Sequence, residues 1–169
     1  MWDSRRIIKE LTDPARREKI FVAFWRHGDA QSKALATSHL AKLMHFRPES
    51  IKKLPIERRA DFLASRTSVP EFEQLTEMAL MQYHTHEANQ LMGAFLDEWK
   101  IPHENGTIES DDYKAPSVDA VRGAVTAIGD RFDRADVVLY LATAGLLMGE
   151  DWREATWPVV DELTAANAS

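Results

Sequence analysis

The chain has 169 residues, 44% of them hydrophobic and 28% charged, which is enough apolar material for a buried core and argues against disorder. It holds no cysteine, so disulfides, thiolate metal sites and thiol nucleophiles are excluded. The net charge of −6 is uneven: residues 1–66 carry 15 Lys and Arg against 8 Asp and Glu, a net +7, whereas residues 67–169 carry 6 against 19, a net −13.

The opening stretch MWDSRRIIKEL is charged throughout and contains no apolar run of leader type, which predicts a protein without a secretory leader and a cytoplasmic location. Asp13-Pro14 then pairs a capping carboxylate with a proline at the first helical position, opening a helix through Trp25 that His27-Gly28 can end. Asp29 can cap the next helix, whose apolar positions Leu35, Leu40, Leu43 and Met44 fall near helical spacing. Pro48 and Pro55 start two short helices.

The segment HLAKLMHFRPESIKKL, near residues 39–59, has a helix-turn-helix flavour. Ala41 and Ile51 stand ten apart, and Arg47, Lys52, Lys53, Arg58 and Arg59 make the region basic. His45 stands where such motifs place glycine, and the prolines confine the second helix to about two turns. A pair of core helices with a solvated basic face is the favoured reading, and DNA binding is kept as an alternative.

Ser68 and Glu71 have the spacing of a capping box, with Pro70 in the same first turn, and from there one long central helix is expected near residues 69–99. At about 100° per residue from Phe72, the apolar residues Leu75, Met78 and Ala79 lie between about 240° and 340°. Leu91, Met92, Phe95 and Trp99 lie between about 100° and 200°. The apolar face therefore changes sides midway, and a straight helix buried on opposite faces at its two ends is the preferred explanation.

The change of side coincides with QYHTHEANQ at 82–90. On a helix His84 and His86 point about 200° apart and cannot bind one metal ion. His84 and Glu87 share a face, as a surface pair or as two ligands of an incomplete metal site. Gln82, Tyr83, His86, Asn89 and Gln90 continue the first apolar face. Buried there, they form either a mutually satisfied polar network or a pocket for a small polar ligand.

Beyond Pro102, IPHENGTIESDDYKAP reads as the longest loop, with a turn at Asn105-Gly106. Its acidic patch, Glu109, Asp111 and Asp112, lacks calcium-loop spacing and reads as solvated. Ser117 caps a helix with a seam at Val118, Val121, Val125, Ile128 and Phe132. Asp133 or Asp136 opens the most apolar helix, Gly123 and Gly145 mark close helix crossings, and a last helix from Asp151 is bent or split at Pro158.

Together these signals give an all-α multi-helix bundle of about seven to nine helices. They describe a single domain over 1–169 with a basic subregion 1–66 and an acidic subregion 67–169. No glycine-rich phosphate loop or nucleophile elbow occurs, so no cofactor is assigned and the expectation leans away from an enzyme. The expected role is a binding, regulatory or adaptor protein with a protein partner or homo-oligomer. The alternative is a small-molecule protein or enzyme using Gln82, Tyr83, His86, Asn89 and Gln90.

Overall fold

The computed structural model describes residues 1–167, with side chains through residue 166. It is all-α: ten α-helices, a short 3₁₀ turn and a two-stranded hairpin among the described residues. Among the described residues no helix is long and apolar enough to cross a membrane. The helices fall into two compact units, one formed by Ile8–Glu87 and the other by Met1–Ile7 together with Ala88–Ser169. The first helix, α1 (Ser4–Leu11), contributes to both.

In the unit of residues 8–87, α2 (Pro14–His27) is the central rod. Ile20, Phe21, Ala23, Phe24 and Trp25 are all buried, more than one face of a helix can supply, because α5 (Ile56–Ala64) and α6 (Glu73–His86) pack on different sides of it. The proline and caps behave as expected, with the Asp13 carboxylate accepting from the Arg16 N–H at 2.7 Å. Asp29 caps α3 (Ala30–Met44) in the same way, and the Ser32 hydroxyl and N–H hold its carboxyl below the ordinary range. The helix ends at His45, a left-handed residue with φ 54°, and Pro48 opens α4 (Pro48–Lys52).

One apolar pattern is turned partly outward here, and two local expectations fail. Leu35 and Leu43 are 42% and 43% exposed, because α3 turns Ser32, Ala36, Thr37, Leu40 and Ala41 inward instead. No Ser68–Glu71 capping box forms; Pro70–Phe72 is a 3₁₀ turn that begins after Val69 without a side-chain cap. The single helix expected over 69–99 is two helices, α6 and α7 (Asn89–Glu98). Glu87 (φ −102°, ψ −27°) and Ala88 (φ −124°, ψ 27°) depart from helical geometry between them. The swap of apolar face is thus made by a break in the chain path, at the boundary between the two units.

In the other unit, α9 (Arg134–Leu147) is the central element, buried without interruption from Val137 to Gly145. It packs against α10 (Glu150–Asn167), which runs unbroken through the exposed Pro158. α8 (Val118–Ile128), capped by Ser117, lies against α10 and α7, burying Val121, Ala124 and Ile128. Trp2 anchors the chain start in this unit, its indole N–H donating to Asp161 Oδ1 at 2.9 Å.

The segment after α7 is not wholly irregular. Strands β1 (His103–Glu104) and β2 (Thr107–Ile108) pair antiparallel around Asn105 (φ 50°) and Gly106 (φ 86°), the two positive φ values that a tight hairpin turn requires. Of the two glycines expected at helix crossings, Gly145 does mark one: a β-carbon there would lie 2.6 Å from Thr156 Oγ1 and collide with the Trp157 indole. Gly123 has open space around it.

Gly145→Ala is therefore expected to destabilise the protein by about 1–3 kcal/mol through overpacking. Gly123→Ala is expected to stabilise it by about 0.5–1 kcal/mol by restricting the unfolded chain. Urea unfolding of both variants checks the pair, and equal effects at the two glycines would contradict the packing described.

Candidate functional site

The residues of QYHTHEANQ are distributed over distinct environments. α6 buries Leu75, Thr76, Ala79, Leu80, Tyr83 and His84, a stripe of i, i+1, i+4 and i+5 neighbours that runs the length of the helix. His84 is the last member of that stripe and is 4% exposed. The surface His84–Glu87 pair expected from sequence does not form. Desolvation pushes the His84 pKa down to about 3, so its imidazole stays neutral through the physiological range.

His86 projects outward and stacks on His27 of α2, ring centroids 4.1 Å apart and planes 15° from parallel. The Glu87 carboxylate lies 3.2 Å from His27 Nε2 and 3.5 Å from Arg26 Nη1. These contacts fasten the end of α6 to the end of α2. They do not make a chelate, because a ring nitrogen binds a metal ion in its own plane and two parallel, stacked rings cannot converge on one ion. No group of three or more His, Asp or Glu able to hold a metal occurs among the described residues.

The five ligand-pocket candidates divide between the two units. Tyr83 is buried in the α6 stripe, Gln82 is half-buried beside it, and His86 is on the surface. Asn89 and Gln90 belong to the other unit. There they line a cavity of about 380 Å³ together with Asp97, His103, Gly106 and Arg131. His103 uses both ring nitrogens structurally: Nδ1 accepts from the Gly106 N–H at 3.0 Å and Nε2 lies 2.9 Å from Asp97 Oδ1. That arrangement clamps the hairpin turn onto α7 and leaves no ring nitrogen for acid–base work.

A larger cleft, of about 930 Å³, lies in the same unit between the loop Asp111–Pro116 and the first turn of α10. Its walls carry Asp111, Tyr113, Glu150, Asp151, Trp152 and Glu154, with Lys114 as the lining cation. The Trp152 ring meets Tyr113 edge-on at 6.2 Å and Trp99 edge-on at 5.5 Å. In sequence the acidic loop reads as solvated surface, with nothing to join it to α10. The joining signal is tertiary, since about forty residues separate the two walls.

The basic segment near 39–59, the DNA-binding alternative, follows α3 with two short helices, α4 and the start of α5. Its second helix, α4, has five residues, about 7.5 Å of helix at 1.5 Å per residue. Compared with protein-family models, curated proteins and solved structures, the chain matches none.

The buried His84 carries a pH signature. The unfolded chain protonates this histidine below its ordinary value of 6.5, while the folded chain resists until about 3. The folded state thus binds fewer protons in that window, and stability falls as pH is lowered through it, by about 2 kcal/mol between pH 6.5 and 5. Urea midpoints at pH 7 and pH 5 should move accordingly, and His84→Leu should remove that part of the shift. An unchanged pH dependence in the variant would show that other groups are responsible.

Proposed function

We propose that the chain acts by binding, as an interaction module whose acidic unit engages a cationic partner. The observation that carries this reading is the charge of the two units. Residues 8–87 hold 13 Lys and Arg against 11 Asp and Glu, a net +2. Residues 1–7 and 88–169 hold 8 against 16, a net −8.

A division of the chain at 66–68 suggests two strongly opposed halves able to attract each other in or between chains. The compact unit 8–87 also includes Glu71, Glu73, Glu77 and Glu87, and these carboxylates bring its charge down to nearly neutral. A second copy of the chain consequently offers little positive charge to match the acidic unit. A separate cationic partner offers the match, with electrostatics supplying encounter rate and selectivity. Nucleic acid is disfavoured by the same sign of charge.

Octalysine is a suitable first probe. Isothermal titration at about 50 mM salt should show association that weakens roughly tenfold by about 300 mM, as screening shortens the reach of the surface charges. Octaglutamate should not bind. Absence of octalysine binding at low salt, or equal binding of the two peptides, would overturn the reading. A chain that self-associates at low salt and dissociates at high salt would transfer the partner's role to a second copy.

A further inference from the structure

We infer that the flank of α3 bearing Leu35 and Leu43, together with Phe46 just past the helix end, is a docking face for an amphipathic helix of a separate protein, one whose apolar stripe is edged by Asp and Glu. The face lies wholly in the unit 8–87 and stands independently of the cationic-partner reading, which concerns the other unit.

The apolar surface of α3 is wider than its cover. At about 100° per residue, with Leu35 as origin, the inward residues Ser32, Ala36, Leu40, Thr37 and Ala41 fill the arc from about 60° to about 240°. Leu35, His39 and Leu43 stand at about 0°, 40° and 80°, one i, i+4, i+8 row along the edge of that arc. The His39 ring, edge-on to Phe72 at 5.8 Å, fills the row between the two leucines. Phe46 folds back over the helix end, its N–H donating to the Ala41 carbonyl at 2.9 Å, a place where an apolar residue ordinarily packs on the last turn. It is nonetheless 50% exposed. Of the exposed large apolar side chains in this unit, Leu35, Leu43 and Phe46 share residues 35–46, and Met81 stands apart on α6.

The charge beside them is the independent observation. Residues 30–53 hold five Lys and Arg against one carboxylate, Glu49. Glu49 is taken by Lys52 at 3.1 Å. Among the described residues the exposed Lys42, Arg47 and Lys53 have no ion-pair partner. Lys42 and Arg47 directly adjoin Leu43 and Phe46 in the chain.

The two features together select the occupant by charge complementarity and shape. A nucleic-acid backbone would pair with the cations and leave the three apolar side chains in water. An anionic bilayer would repel a chain of net −6 before the row could insert. A helix that carries both an apolar stripe and carboxylates covers the row and satisfies the cations at once. Its stripe seats between the i, i+4 side chains, and the row, about 12 Å long, matches about two turns of the partner. Apolar contact supplies the affinity, and the charges fix the orientation.

The test is fluorescence anisotropy of the peptide fluorescein-(Leu-Glu-Ala-Leu-Glu-Glu-Ala)₂-amide, titrated with the whole chain at about 50 mM salt. Saturable binding is expected, and replacing the peptide leucines by serine should abolish it. Leu43→Ser with Phe46→Ser should weaken binding about tenfold. Lys42→Glu with Arg47→Glu, at exposed positions where substitution costs little stability, should weaken it at least as much. Octalysine binding by the other unit should be untouched by either pair. No peptide binding, equal binding of the serine peptide, or binding indifferent to both pairs overturns the face. Self-association in sedimentation equilibrium that Leu43→Ser with Phe46→Ser abolishes makes a second copy the occupant and overturns it too. Binding to vesicles of phosphatidylcholine and phosphatidylserine that the same pair abolishes does so in favour of a membrane.

Discussion

The approach of α9 to α10 at Gly145 sets the geometry of the acidic unit. The absence of a side chain there lets the Trp157 indole reach the Ala142 carbonyl across the interface. That contact fixes where α10 lies along α9. One turn before Thr156 stands Trp152, whose carbonyl the Thr156 hydroxyl also uses at 2.9 Å. Trp152 in turn meets Trp99, and Trp99 donates to the Ala120 carbonyl of α8. Helices α7, α8 and α10 are thus tied by a short aromatic chain that begins at a glycine. The cleft wall is the outer end of that chain.

Signals that act within one turn of chain were legible in the sequence. Asp13, Asp29, Ser117 and Asp133 all cap helices as their spacing implies, because capping needs nothing beyond the neighbouring three residues. The rotational phase of a helix is a different matter. The apolar side chains Leu75, Met78 and Ala79 suggest one face for α6, but the buried stripe also includes Thr76, Leu80 and His84. At about 100° per residue the true face is rotated by about 95° toward those residues. Thr76 hides its hydroxyl by donating to the Phe72 carbonyl at 2.8 Å, so a polar letter behaves as a core residue. Met81, 43% exposed, does the reverse. That rotation buries His84 and leaves His86 outside.

The candidate site was legible only in fragments. Asn105-Gly106 announces a turn, and the turn is there, but neither the hairpin nor its clamp through His103 to Asp97 can be read without knowing that β1 lies on α7. Similarly, Asp111 and Tyr113 lie in a polar loop, and Trp152 and Glu154 lie in a helix; their common cleft exists only after the chain has turned back. Charge was legible in amount and misleading in boundary. The sign changes near residue 67, whereas packing divides the chain at 87, because α6 is acidic in composition but apolar on the face that seeks α2.

The Trp2–Asp161 hydrogen bond joins residues 159 positions apart and belongs to a unit interrupted by the whole of the other one. On the ribosome, residues 8–87 emerge early and can fold as they appear. The first seven residues cannot find their place until α10 has been made. The order of synthesis therefore opposes the order of assembly for this one unit, since Trp2 precedes its partner Asp161 by 159 positions. A bulky group placed next to Trp2 would be carried beside α10 in the finished fold, and so bears on whether the acidic unit closes.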